Sequence, residues 1–260
     1  MTALLLALLA VVGLAVGSFL NVVVWRVPRG ESVVTPASHC PACDAAVRSR
    51  DNVPVVSWLL LRGRCRDCRT PIAARYPLVE ASTALVFVVL GARLGASWEL
   101  PAFLYLGAVG VALALIDLDV KRLPDVLVLP SYAVALALLA LPALLDHRWP
   151  DYGRAVLGGV VLYAGYFVLA YAYPAGMGFG DVKLAGVLGI YLGWLGWGSL
   201  AAGAFLGFLL GGVVGVALLA SARATRKTAI PYGPFMLLGA LLAVLAGGTL
   251  ARAYLDVMGI

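Results

Sequence analysis

The chain has 260 residues, 63% of them hydrophobic and 12% charged, and its mean hydropathy of +0.99 excludes a soluble globular enzyme. The net charge of +6 would suit a nucleic-acid partner if it were spread over a surface. Instead, nine of the 19 basic residues lie between Arg26 and Arg75, a stretch without a long apolar run that also holds all four cysteines. The charge therefore marks a small extramembrane domain, with lipid rather than nucleic acid as the surrounding partner.

A membrane-spanning helix needs roughly 20 mainly apolar residues. Ala3 to Trp25 meets this and carries no basic residue ahead of it, unlike a secretory signal. It reads as a retained helix with its N-terminus outside, in preference to a cleaved signal peptide. Residues 26–77 follow as the cysteine-bearing domain. Further spans are expected over Leu78–Leu94, Leu100–Ile116, Val126–Leu145, Ala155–Tyr173, Val182–Leu195, Ser199–Ser221 and Phe235–Ala251. The fold class is thus all-α and polytopic, with about eight transmembrane helices. The organisation is a first helix over 1–25, a zinc-ribbon-like insertion over 26–77 and a seven-helix membrane domain over 78–260.

With the N-terminus outside, the inner loops are Arg26–Pro77, Asp117–Asp125, Pro174–Lys183 and Ala222–Pro234, and these carry 15 of the 19 basic residues. The bias puts the cysteine domain on the cytoplasmic side. In the seventh span Gly203, Gly207, Gly211 and Gly215 recur every fourth residue, forming a stripe for close helix packing rather than for a ligand.

The cysteines fall as Cys40-x2-Cys43 and Cys65-x2-Cys68, which is the spacing of two metal knuckles. Four thiolates would close a tetrahedral shell around a structural Zn2+. Two disulfides are the competing reading, disfavoured in a reducing compartment. His39, beside the first knuckle, is expected to be a bystander. A domain of about 50 residues buries little core, so the metal would supply much of its folding free energy.

Carboxylates at membrane depth are costly and tend to be functional. Asp117 closes the third span, Asp119 and Asp125 follow in the loop, and Asp181 opens the sixth. In the expected topology Asp117 and Asp181 share one membrane face, where helix packing can bring them together. Two carboxyls sharing a proton form an acid and base pair able to drive water onto a peptide carbonyl. Glycines 176, 178 and 180 loosen the backbone ahead of Asp181. An acidic residue is also favoured at a helix start by the dipole alone. Lys183 is expected to snorkel to the interface.

Taken in order, GSFLNVVVWRVP from Gly17, CPAC, CRDC, RYPLVE from Arg75, IDLDVKRLPD from Ile116, GMGFGDVKL from Gly176 and PYGPF from Pro231 resemble the type IV prepilin peptidase family along nearly the whole chain. The resemblance selects Asp117, seven residues before Pro124, and Asp181, ending GxGD, as the catalytic aspartates of a membrane aspartic protease. It implies pilin-like precursors (type IV prepilins or pseudopilins) as substrates, cut at the cytoplasmic face of the bacterial plasma membrane. It further implies N-methylation of the new terminus with S-adenosylmethionine, a step associated with the cysteine domain. Gly63, before Cys65, is the expected contact for that cofactor, although a knuckle turn would also want a glycine there. Tyr232 stands where Phe is usual, and Arg64 where Lys is common. A proton- or cation-coupled transporter and a non-catalytic assembly scaffold are the alternatives from other classes. Oligomeric state and the particular substrates are not legible.

Overall fold

The computed structural model describes residues 2–174, 176–221, 228 and 230–258, with backbone alone for 250–255, 257 and 258. Among these the regular structure is helical, and the only β pairings are two isolated bridges, His39 with Ala46 and Arg64 with Pro71. A chain this apolar has little alternative: inside lipid every backbone amide and carbonyl must be paired within its own segment.

The helices are α1 (Thr2–Arg26), α2 (Val56–Leu60), α3 (Arg75–Leu94), α4 (Leu100–Val120), α5 (Asp125–Leu145), α6 (Trp149–Ala172), α7 (Phe179–Leu195), α8 (Trp197–Ala220) and α9 (Gly233–Met258). Six of the eight apolar segments expected from sequence fall within one of them, while Ala155–Tyr173 and Ser199–Ser221 each run one residue past the end of α6 and α8. Among the described residues six helices are long and apolar enough to cross a membrane: those beginning at Thr2, Arg75, Leu100, Asp125, Trp149 and Trp197. The apolar stretch Gly233–Thr249 is shorter, and α7 has 17 residues. The basic loop expected over Ala222–Pro234 lies largely outside the described residues.

The chain forms two compact units. The first comprises Met1–Leu100 and Gly107–Ala112, the second Pro101–Leu106 and Leu113–Ile260. Within the first, α1 packs along α3 through bare backbone. A Cβ built on Gly13 would lie 2.6 Å from Ala84 Cα, and one on Gly17 would lie 2.7 Å from Glu80 Cα. The four-cysteine region is inserted between these two helices.

Within the second unit α7 is the central helix, in contact with α5, α6, α8 and α9. Every residue from Leu184 to Trp194 is buried. A helix that is apolar all round is a buried one, and this accounts for the absence of charge over Leu184–Leu195. The approach of α6 to α7 is closest at Gly158 and Gly189, where a Cβ on Gly189 would sit 2.3 Å from the Gly158 carbonyl oxygen. The stripe on α8 packs as expected. Gly203 faces Leu192 and Ala243, and a Cβ on the α9 residue Gly239 would come within 2.5 Å of the Gly207 amide nitrogen.

The C-terminal carbonyls of α7 have no intrahelical donors. Arg154 supplies them from α6: its Nε donates to Gly193 O at 2.7 Å and its Nη2 to Trp194 O at 2.9 Å, while Asp151 holds the guanidinium. Hydrogen bonds to charged groups contribute roughly 1.5–3 kcal/mol each. Arg154→Met is therefore expected to destabilise the second unit by about 3 kcal/mol, read as a lowered melting temperature in detergent, while Arg154→Lys retains part of the loss.

Candidate active site and four-cysteine cluster

Asp117 lies three residues before the end of α4 and Asp181 in the first turn of α7. Both are buried, at 5% and 8% relative exposure, and they interact electrostatically with each other. Asp119 and Asp125 are exposed. The helix parity that separates Asp117 from Asp119 does the sorting, since a residue two places on turns to the far side. Asp125 instead holds Lys183, with both carboxylate oxygens 2.8 Å from its Nζ. Lys183 is thus an ion-pair partner, and its ammonium also lies 5.1 Å from the Phe179 ring centroid.

Each buried carboxylate is held by a backbone amide next to a glycine motif. Gly178 N–H donates to Asp181 Oδ2 at 3.1 Å, and Gly233 N–H donates to Asp117 Oδ2 at 2.9 Å. The first contact caps α7, so the structural reason for an acid at a helix start is realised too. The second joins residues 116 positions apart and depends on how α9 begins.

The start of α9 is seated by the α8 stripe. The Tyr232 ring lies against the bare backbone of Gly211, where a Cβ would meet it at 3.1 Å, and its hydroxyl lies near Gly207. Phe208 and Tyr166 complete an aromatic cluster around it, with ring centroids 5.3 to 6.5 Å apart. Tyr166 and Tyr232 bring their hydroxyls to 3.4 Å, and both rings feel the charge of Asp181.

Leu123 is the residue that sequence reasoning missed. Cβ atoms built on Gly180 and Gly233 would each come within 3.2 Å of its side chain, so one buried leucine fills the space between the two glycine motifs. Its signal was the single apolar residue in the loop sequence KRLPD.

The cysteines come together separately, in the first unit. Their sulfurs all lie within 4.8 Å of one another, and Cys40 Sγ is 3.7 Å from Cys68 Sγ. The thiols are unbonded to each other. Four thiolates 2.3 Å from a tetrahedral centre would be about 3.8 Å apart, so the set fits a metal ion. The two knuckles share one local design. Cys40 N–H donates to Ala45 O and Asp44 N–H to Cys40 O; Cys65 N–H donates to Thr70 O and Arg69 N–H to Cys65 O. Asp44 and Arg69, each just after the second cysteine, both take a left-handed φ near 60°. Ion pairs from Arg48 to Asp67 and from Arg66 to Asp51 cross between segments.

Hydrogen bonding by Thr70 lowers the Cys68 thiol to about 6. The Cys43 thiol accepts a lowering hydrogen bond from the Ala45 amide, yet its neighbours, Cys68 foremost, push it up to about 12. Metal binding would displace the protons that the raised thiols hold. His39 turns aside, to the Ala37 carbonyl and Asp44.

Gly63 is buried at φ +64°, and a Cβ there would lie 2.8 Å from the Trp58 ring. Its amide donates to Trp58 O, its carbonyl accepts from Ile72 N–H, and Trp58 Nε1 donates to Ile72 O. The glycine is needed for the turn and for seating Trp58, and the ring covers its Cβ side.

Two family profiles match the chain: the Bacterial Peptidase A24 N-terminal domain over residues 11–94, and the Type IV leader peptidase family over residues 103–250. This chain belongs to the type IV leader peptidase family. Among similar proteins, the prepilin leader peptidase/N-methyltransferase of Aeromonas hydrophila is 37% identical, covering 93% of this chain and 91% of its own. That of Pseudomonas putida is 36% identical over 98% and 95%, and that of Neisseria gonorrhoeae 35% over 95% and 92%. No solved structure matches.

The Gly233 contact yields a direct test. A methyl at this position would sit 2.9 Å from Asp117 Oδ2, and small misplacements of reacting groups cost orders of magnitude. Gly233→Ala is expected to lower leader cleavage about tenfold or more in a peptide assay, with a melting temperature close to that of the parent.

Proposed function

We propose that this chain is a membrane-embedded aspartic endopeptidase with Asp117 and Asp181 as its catalytic pair. It removes the leader from type IV prepilin-like precursors and N-methylates the residue exposed. The observation that carries this reading is two buried carboxylates in electrostatic reach of each other, each held by a backbone amide, in a chain of the leader peptidase family.

One carboxylate takes a proton from water as the water oxygen bonds to the peptide carbonyl carbon, and the other, protonated, gives its proton to the carbonyl oxygen. When the tetrahedral adduct collapses, the C–N bond breaks and the amine leaves with a proton from the pair. The amide contacts fix one oxygen of each carboxylate and leave the other for water and substrate. Leu123 keeps the two glycine motifs apart at a fixed spacing. A coupled transporter would instead call for paired half-helices at mid-bilayer, and no helical segment in the second unit is broken in that way among the described residues.

The topology we propose has eight spans and an outside N-terminus, with the four-cysteine unit and the carboxylate pair on the cytoplasmic side of the bacterial plasma membrane. The bias of basic residues toward the loops on that side supports it. The four cysteines hold Zn2+, which fixes both knuckles of a unit too small to fold around an apolar core. S-adenosylmethionine, when bound, supplies the methyl group. We place its use at the four-cysteine unit, with Gly63 governing it through the Trp58 seat.

Asn keeps an acceptor for the Gly178 or Gly233 amide but cannot exchange the proton. Asp117→Asn and Asp181→Asn are each expected to lower cleavage about a thousandfold or more, while methylation of a pre-trimmed pilin persists. Assays on uncut and precut substrate, read by product mass, separate the steps; substantial cleavage by either variant would sink the assignment.

Purified protein is expected to contain about one zinc per chain, measured by elemental analysis. Cys40→Ser should lower that content, and Cys40→Ser and Gly63→Ala should each reduce methylation more than cleavage. A metal-free protein retaining both activities would overturn the zinc assignment.

A further inference from the structure

The short helix α2 is amphipathic in the wrong sense for a soluble domain. Ser57 is buried and Trp58 turns inward onto Gly63, whereas Val56, Leu59 and Leu60, at i, i+3 and i+4, share the outward face. Leu59 and Leu60 are 60% and 78% exposed, and Val53, ahead of the helix, is exposed as well. A unit standing free in water would bury these four side chains.

Its position is fixed by a strained turn. Val55, a β-branched residue, takes φ +60° and ψ −49°, with Val56 N–H donating to Pro54 O at 2.6 Å. This is a tight three-residue turn of a costly kind. Its own amide donates to Glu80 Oε2 at 2.6 Å. Glu80 is five residues into α3, so α2 is pinned within about 8 Å, measured along the helix axis, of the Arg75 end of a span. The headgroup layer on each side of a bilayer is of similar thickness, about 5–8 Å. Next to Glu80 on the same helix, Leu78 is largely exposed, as is Leu85 further in. The apolar face of α2 is thereby continuous in depth with the lipid-facing surface of a transmembrane helix. Arg62 and Arg64, both exposed, follow directly after it.

We infer that α2 and its flanking arginines form an interfacial anchor that lies in the membrane surface, with Val56, Leu59 and Leu60 among acyl chains and Arg62 and Arg64 on acidic phospholipid headgroups. The four-cysteine unit is then held flat against the bilayer by three attachments, the ends of α1 and α3 and this helix. Apolar insertion beside basic residues is the chemistry of helices that lie in a membrane surface.

The test uses the full chain in nanodiscs of phosphatidylcholine, with or without about one-third phosphatidylglycerol. A photoreactive p-benzoylphenylalanine is placed at Leu60, or at Leu85 as the lipid-facing control, and adducts are weighed after illumination. Lipid adducts at Leu60 are expected within about threefold of those at Leu85, with metal content unchanged as evidence that the unit is folded. Arg62→Gln with Arg64→Gln should lower the Leu60 yield about threefold in discs containing phosphatidylglycerol and leave it unchanged in phosphatidylcholine alone. Lipid adducts at Leu85 with none at Leu60 would overturn the proposal. So would replacement of the Leu60 lipid adduct by a protein adduct on adding a prepilin, which would make the face a substrate dock. Equal yields with and without the arginines in acidic discs would overturn the headgroup assignment.

Discussion

A carboxylate buried in a lipid-embedded bundle persists only where donors reach it, and in this protein the donors are backbone amides. Helices leave few amides free, so they can come only from the first turn of a helix or from the segment just ahead of it. Asp181 uses the segment before its own helix, through Gly178. Asp117 sits at the wrong end of α4 for this and must borrow the Gly233 amide from the start of α9. The architecture of the second unit follows from that loan.

To deliver the Gly233 amide, α9 must begin at a fixed point beside α4, and the α8 glycines set that point. They let Tyr232, Phe235 and Met236 settle directly on backbone, as the close approaches at Gly207 and Gly211 show. Leu123 then limits how far the Gly180 and Gly233 segments can close. The buried α7 carries Asp181 and is fixed at its other end by Arg154, so both ends of the central helix are defined by side chains of known partners. Packing through glycine backbone suits such a site because dispersion, rather than water release, drives helix association in lipid.

The first unit solves a different problem with different means. It has too few apolar residues between Arg26 and Arg75 to build a core, so order comes from two matching knuckles, ion pairs between them and the Trp58 seat over Gly63. The result joins a unit of polar chemistry to a pair of helices that, like those of the second unit, pack through glycine backbone. In the proposed division of labour, peptide hydrolysis uses the rigid carboxylate pair, and methyl transfer uses the part of the chain where soluble cofactors have access.

Much was legible in the residues alone. Helix content followed from lipid, which allows no other backbone pairing for uninterrupted apolar runs. The knuckles followed from cysteine spacing, because two residues between thiols define a local turn that needs no distant information. The α8 stripe followed from its period of four. What the sequence could not supply was any contact between distant segments. Asp117, Asp119 and Asp125 have the same composition and nearly the same position, and only packing buries the first while exposing the others. The partnership of Gly233 with Asp117, the wedge of Leu123, the use of Lys183 on Asp125 and the Arg154 cap on α7 all join residues 39 or more positions apart, or sit between two such segments. Hydropathy counts apolar length but is blind to what surrounds it. It therefore reads the 17-residue α7 as one more span among eight, whereas burial on every side frees that helix from matching the thickness of the lipid.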